Sequence, residues 1–383
     1  MPDQAIRAGR IFDGERWHEQ SALVTSGGRI SAIVPGGDVA AAHVVADYGD
    51  HQIVPGFIDL QVNGGDAVQF GGSHTSVDDI RRITAAHART GTTKVMVTLI
   101  TDTPDVTAAA LSAGEAASLA AVPGYLGLHL EGPHLSVARK GAHDADLIRP
   151  MTDADMDQLV QFVDRVGVLK LTIAPENVTA DQVQILHEKG IVISLGHSDT
   201  SAETAQRYAD AGARLVTHLY NAMSPLSHRA PGLVGAALTD GRLWSGMIAD
   251  GVHVDPMAMR VALDSKAGPG RIFLVTDAMA PLGTKAREFE LNGRRILRRD
   301  GRLTLPDGTL AGADVDMLSS LRVLTDQVNV PLDEALRMAA LYPAQAVGIE
   351  ADHGHLKPGA RADFAVLGSG LNHVATWIGG ACA

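Results

Sequence analysis

The 383-residue chain contains one cysteine, Cys382, beside its C-terminus. A single thiol excludes an intrachain disulfide and a thiolate metal site, so a reducing, cytoplasmic setting is expected. A basic stripe is also missing. Lys and Arg are scattered and the formal net charge is −12, which argues against a nucleic-acid partner. That charge still leaves room for an anionic small substrate, because a few local donors can override the global field. No apolar run approaches the ~18–20 residues a membrane span needs. The opening MPDQAIRAGRIFDG is mixed and polar, unlike a secretory leader, so no membrane association is expected. A GxGxxG turn is absent too, which disfavours an open doubly wound sheet.

What the chain does contain is alternation. Within residues 1–52, AIRAGRIFDG, SALVTSGGRISAIVP and AAHVVADYGDHQIVP alternate apolar and polar positions between Gly-containing turns. The far end, GARADFAVLGSGLNHVATWIGG, has the same signature. One small β-sandwich assembled from both termini, 1–52 plus 355–383, is the expectation; two unrelated flaps are the alternative. Between them, in 53–354, apolar strands alternate with amphipathic helical stretches. Eight strands are expected at about Gly56–Val62, Thr93–Ile100, Tyr125–Leu130, Leu169–Ala174, Ile191–Leu195, Arg214–Leu219, Leu243–Ala249 and Ile272–Thr276. Ser76–Arg89 opens with a serine cap and two acids, as a helix N-terminus prefers; Thr179–Lys189 and Thr200–Ala211 repeat the form. Eight strand–helix units predict an α/β fold with a closed (β/α)8, TIM-like barrel. The last helices, Ala313–Val328 and Leu332–Ala340, close it. Two excursions interrupt the pattern: a polar loop, Pro133–Arg149, and a β-hairpin, Gly283–Pro306. Loops at the C-terminal ends of barrel strands usually carry recognition.

Four strands end in a side chain suited to chemistry: GYLGLHLEG at Glu131, GIVISLGHS at His197, RLVTHLYNA at His218 and RIFLVTDA at Asp277. One carboxylate and two imidazoles are ligands for Zn²⁺ or a similar divalent ion, and three protein ligands leave a catalytic position open. Such an ion makes hydroxide available at neutral pH. Asp277 is the expected general base and acid. Each residue alone could be a strand cap, and Asp277 a helix N-cap. Four of them at the strand ends of one barrel would share one mouth. Gln61 and Asn63 alternate on the first strand. Amides are poor Zn²⁺ ligands, so one tightly bound metal per subunit is expected, with both amides donating hydrogen bonds to the site. His143, Asn221, Ala222, Arg229 and His253 fall in loops on the same face. Arg229, in SHRAPG, could hold a phosphate or carboxylate, or be a solvated surface charge.

The strings PGFIDLQVNG, HLEGPH, KGAH, SLGHS, VTHLYNAMSPL, RAPGL, GVHVD and VTDAMAPLG, in this order along essentially the whole chain, resemble the N-acetylglucosamine-6-phosphate deacetylases of the metal-dependent amidohydrolase superfamily. The resemblance implies hydrolysis of the acetamide of N-acetyl-D-glucosamine 6-phosphate, in amino-sugar recycling. It implies metal ligation by Glu131, His197 and His218, acid–base catalysis by Asp277, and polarisation of the acetyl carbonyl by His143. Ala142, Asn221 and Ala222 would contact sugar and phosphate. His253, in the segment from Asp250, would contact the sugar, and Leu310, Ala311 and Gly312 would line the acetyl pocket. Arg229 would reach the phosphate in a neighbouring subunit, making a homodimer. Some members carry His-x-His where this chain has Gln61 and Asn63, a departure that matches those working with one metal. The residues alone leave two other readings open: an amidohydrolase acting on a cyclic amide, ureide or other N-acyl compound, and a non-catalytic sugar-phosphate-binding protein.

Overall fold

The computed structural model describes residues 4–383 except Ser73 and Asn292. The first three residues of the N-terminal module and one turn residue of the Gly283–Pro306 excursion therefore lie outside the described residues.

Eight parallel strands form the barrel: Phe57–Val62, Thr92–Ile100, Tyr125–Glu131, Val168–Ile173, Val192–Leu195, Leu215–Val216, Trp244–Met247 and Ile272–Leu274. Each hydrogen-bonds to the next in sequence. The seam between first and last is closed just beyond the strands, where Asp277 N–H donates to the Gln61 carbonyl (2.9 Å) and Asn63 N–H to the Ala278 carbonyl (2.8 Å). All eight expected strands are present. The sixth is the shortest, because regular pairing stops at Val216, before His218.

Each strand is followed by a helix, from Val77–Ala88 after the first to Met317–Asp326 after the eighth. Their starts follow from side chains. Ser76 and Asp79 form a reciprocal capping box, as do Thr152 with Asp155 and Thr179 with Gln182, each satisfying two otherwise orphaned N–H groups. Strand residues of one parity, such as Leu128, Leu130, Leu169, Leu171, Ile193 and Leu195, are buried in the large apolar cluster shared with the helices. The opposite parity carries polar groups inside the barrel, which is where its chemistry must arise.

The β domain draws on both termini. Gln4–Phe12, Trp17–Ser26, Arg29–Pro35, Val44–Asp47 and Gln52–Pro55 join Phe364–Leu367, His373–Ile378 and Ala381–Cys382 in one eight-stranded mixed sheet. It curls over its own core of Ile6, Ile11, Leu23, Ile30, Ile53, Phe364 and Trp377. Gln52–Pro55 pairs with Phe364–Leu367 and leads directly into the first barrel strand. Asp363 ties the two parts, with Lys94 of the second barrel strand 3.8 Å away.

The excursion after the eighth strand is larger than the expected hairpin. Glu288–Leu291, Arg294–Arg299, Arg302–Thr304 and Leu310–Ala313 make a four-stranded antiparallel sheet. Gly293 and Gly301 supply its first two turns with left-handed backbone, φ +73° and +71°, which glycine adopts without steric cost. The fourth strand brings Leu310–Gly312 back over the barrel mouth.

Candidate active site

Three of the four strand-end residues lie where the chain turns out of the barrel. His197, His218 and Asp277 have φ of +46°, +29° and +53°. Left-handed backbone costs a non-glycine residue of order 1–3 kcal/mol and persists only where the surroundings enforce it. Here each turn swings a polar side chain into the mouth.

The groups converge. Glu131 Oε1 lies 3.1 Å from His218 Nε2 and 3.3 Å from His197 Nε2, and the two Nε2 atoms are 3.1 Å apart. His143 also brings a ring nitrogen within 4.8 Å of ligand atoms of Glu131 and His197. His197 Nδ1 is 2.9 Å from the Arg139 carbonyl. A carbonyl only accepts, so Nδ1 carries the proton and Nε2 presents a lone pair. A carboxylate oxygen and imidazole lone pairs meeting at this spacing are a donor set for a divalent cation such as Zn²⁺, and the buried, inward-facing residues fit one.

Asp277 stands beside this cluster, held by amides. Asn63 Nδ2 donates to its Oδ1 at 2.6 Å. Gln61 Nε2 lies 3.2 Å from Asp277 Oδ1 and 3.2 Å from each oxygen of Glu131, bridging the two carboxylates. Burial, and then the Glu131 charge, push the Asp277 carboxyl above its usual range. Burial alone would raise Glu131 as well, but the two imidazoles beside it, His197 and His218, outweigh it and hold Glu131 well below. Burial would lower His218, yet the hydrogen bond to Glu131 carries it upward. Two carboxyls driven apart by their surroundings give one a ligand's character and the other a base's.

His143 is fixed by Thr101, the residue after the second strand. Its Nδ1 lies 2.8 Å from Thr101 Oγ1, and Thr101 N–H donates to it at 3.3 Å. A backbone N–H aimed at Nδ1 leaves the ring proton on Nε2. Burial, and then His197, lower its pKa to about 3, so it is a neutral donor.

A cavity of about 260 Å³ opens above these groups. Its lining includes Asn63, Glu131, His143, His197, His218 and Asp277, together with Ala142, Asn221, Ala222, His253, Leu310, Ala311 and Gly312. Three residues expected at the site, Gln61, Asp250 and Arg229, lie outside this lining. Gln61 is completely buried beneath the cavity, its amide spent on Glu131 and Asp277. Asp250 stands behind His253, accepting its Nδ1–H at 2.6 Å and its backbone N–H at 2.7 Å. Arg229 sits on a wholly exposed stretch, 225–231, away from the lining.

Sequence reasoning overlooked Asp59 and Thr276. Asp59 shares a strand face with Gln61 and Asn63, a parity that could have revealed it. Its carboxyl accepts the Thr276 hydroxyl at 2.5 Å and N–H groups of Thr276 and Gln61 at 3.2 Å. Thr276 Oγ1 in turn accepts the Ala278 N–H at 3.2 Å, clamping the left-handed turn at Asp277 from both sides. Below Glu131, His129 links Thr98 (3.1 Å) and Thr172 (2.7 Å), and Thr172 continues to Thr217 and Ser194. This polar layer spans five adjacent strands.

A (β/α)8 barrel with a carboxylate, imidazoles and an independent carboxyl at its strand ends has the construction of a metal-dependent hydrolase. The chain belongs to the Amidohydrolase family, whose model matches residues 52–382. Among curated relatives, it is 39% identical to an N-acetylgalactosamine-6-phosphate deacetylase of Shewanella sp. (strain ANA-3), over 86% of this chain and 82% of that one. Among solved structures, the N-acetylglucosamine-6-phosphate deacetylase of Pasteurella multocida superposes with a TM-score of 0.94 at 34% identity, covering 100% of this chain and 99% of that one. A mutant N-acetyl-D-glucosamine-6-phosphate deacetylase of Mycobacterium smegmatis, in complex with N-acetyl-D-glucosamine-6-phosphate, gives 0.89 at 31% identity and 99% coverage of both chains.

Proposed function

We propose that this hydrolase removes the acetyl group of N-acetyl-D-glucosamine 6-phosphate, releasing D-glucosamine 6-phosphate and acetate. The observation that carries the reading is the meeting of Glu131, His197 and His218 within 3.3 Å, with Asp277 tied to Glu131 through Gln61.

Glu131, His197 and His218 would hold one divalent ion, Zn²⁺ by ligand type. When bound, it supplies a Lewis acid and an activated water. His143, with its proton on Nε2, donates to the acetyl oxygen as charge develops there. Asp277, whose carboxyl is pushed above its usual range, takes the attacking water's proton and returns it to the leaving amine. Asn63 and Gln61 orient Asp277. Asn221, Ala222 and His253 line the same cavity and suit the sugar and its phosphate. Arg229, exposed and remote from its own cavity, suits the phosphate in a second copy, so we also propose a cytoplasmic homodimer.

The test is acetate release from the phosphorylated sugar with added Zn²⁺, lost in Asp277→Asn; a metal-loaded wild type without turnover ends the reading. Arg229→Ala should raise KM for this substrate, while the unphosphorylated sugar is turned over no better by either protein. The Shewanella relative supports a second reading, the galactosamine epimer as preferred substrate, with unchanged chemistry. Comparing kcat/KM for the two sugar phosphates decides between them.

A further inference from the structure

Part of the cavity wall is apolar. Ile100, Met279, Leu291 and Ala311 all line it and belong to a single packed cluster, closed from behind by Ile296 and Leu303 of the inserted sheet. The wall is placed by its neighbours in the chain. Ile100 precedes Thr101, which orients His143, and Met279 lies two residues beyond Asp277. The groups expected to act on the acyl carbonyl therefore flank this wall, while Asn221 and His253 stand at other points of the lining. Met279 is 3% exposed and lies flat on Gly312. A Cβ on Gly312 would come within 2.4 Å of Met279 Cγ and 2.5 Å of Sδ, and its φ is +73°. Glycine there gives the thioether its space.

Resting on the deacetylase reading, we infer that Met279, backed by Leu291 of the inserted sheet, sets the acyl-chain length this enzyme accepts. An acyl group longer than acetyl must enter the volume that Met279 fills. Methionine is unbranched and adaptable, so the limit is graded: N-propionyl is accepted below N-acetyl, and N-butanoyl is poorly accepted. One methylene in such a pocket changes kcat/KM by roughly 10- to 200-fold. The reaction is otherwise unchanged: water cleaves the amide C–N bond, the acyl group leaves as carboxylate and the amine takes the proton.

The experiment compares kcat/KM for the N-acetyl, N-propionyl and N-butanoyl derivatives of D-glucosamine 6-phosphate in wild type, Met279→Ala and Leu291→Ala. Metal content and thermal unfolding are followed alongside. The expected result is a rise of about tenfold or more in the butanoyl-to-acetyl ratio in Met279→Ala, with a smaller rise in Leu291→Ala. Should Met279→Ala not fold, the Leu291→Ala ratio alone decides. A ratio within twofold of wild type in each folded variant overturns the inference and leaves the deacetylase reading standing. Absence of turnover of every derivative by wild type defeats the reading itself.

Discussion

Replacing Asn63 with alanine removes the 2.6 Å hydrogen bond to Asp277 Oδ1 and leaves Gln61, at 3.2 Å, as the remaining amide donor. Asn63 is 1% exposed and lines the cavity beside Asp277. A hydrogen bond to a charged acceptor contributes about 1.5–3 kcal/mol. Asp277 faces the cavity, where water can replace part of the loss, so the lower figure applies, about tenfold in rate. The direction with pH follows from which form the amide favours. Nδ2–H stabilises the carboxylate, so its loss moves the Asp277 pKa further up, the way burial and Glu131 already push it. The acid limb of the kcat/KM profile should move to higher pH, with the deficit greatest on that limb and shrinking as pH rises beyond it. Asn63 does not touch Glu131, His197 or His218, so metal stoichiometry should not change. The assay is kcat/KM against pH for metal-loaded wild type and Asn63→Ala. An equal loss at every pH, with the acid limb unmoved, would show that Asn63 only packs and would refute its part in tuning Asp277.

Three further outcomes follow from the geometry. Glu131→Gln should abolish tight metal binding while the chain stays folded, read by metal analysis after dialysis and by circular dichroism; full retention of metal would refute its role as ligand. Thr276→Val removes the hydroxyl that joins Asp59 to the Ala278 N–H, and kcat should fall about tenfold or more with KM little changed, because a misplaced base costs the chemical step. Asp363→Asn should lower the melting temperature at neutral pH. Burial would raise that carboxyl, but His353 and Lys94 hold it below 3.8, so its stabilisation is present above that pH and lost on acidification; the mutant's deficit should therefore vanish in acid.

The barrel was legible because its strands are long apolar runs, each followed by a capped helix; Ser76, Thr152 and Thr179 mark helix starts that local chemistry alone dictates. Glu131, His197, His218 and Asp277 were legible because each interrupts such a run at its end. Other features were hidden for physical reasons. Asp59 and Thr276 meet only when the first and eighth strands close the seam, a contact 217 residues apart in sequence. The fourth strand of the inserted sheet begins after Pro306, beyond a turn that reads as the end of a hairpin. Gln61 and Asp250 occur in polar motifs near substrate-binding residues, and sequence does not tell a side chain in the cavity from one that braces its neighbour.

The interior charge balance gives a last prediction. Asp59, Glu131 and Asp277 place three carboxyls inside the barrel, with Lys170, donating to the Leu60 carbonyl at 3.2 Å, as the buried ammonium facing them. Burial lowers Lys170 to about 8, against the pull of all three acids. Burial, with a smaller push from Asp277, raises Asp59 to about 7. A carboxyl raised on folding binds its proton more tightly in the folded chain, so its stabilising share is present below pH 3.8 and lost as pH climbs through 7. The difference, 7 − 3.8 = 3.2, corresponds to about 4 kcal/mol across that window. Urea unfolding of chelator-treated wild type should therefore lose stability between pH 5 and 8 more steeply than Asp59→Asn. A divalent cation on Glu131 adds positive charge to the same interior, favours every ionised carboxyl there and should flatten the wild-type slope. Identical slopes for wild type and Asp59→Asn would mean that Asp59 does not titrate here. Identical slopes with and without metal would mean that the cation does not reach the cluster around Glu131.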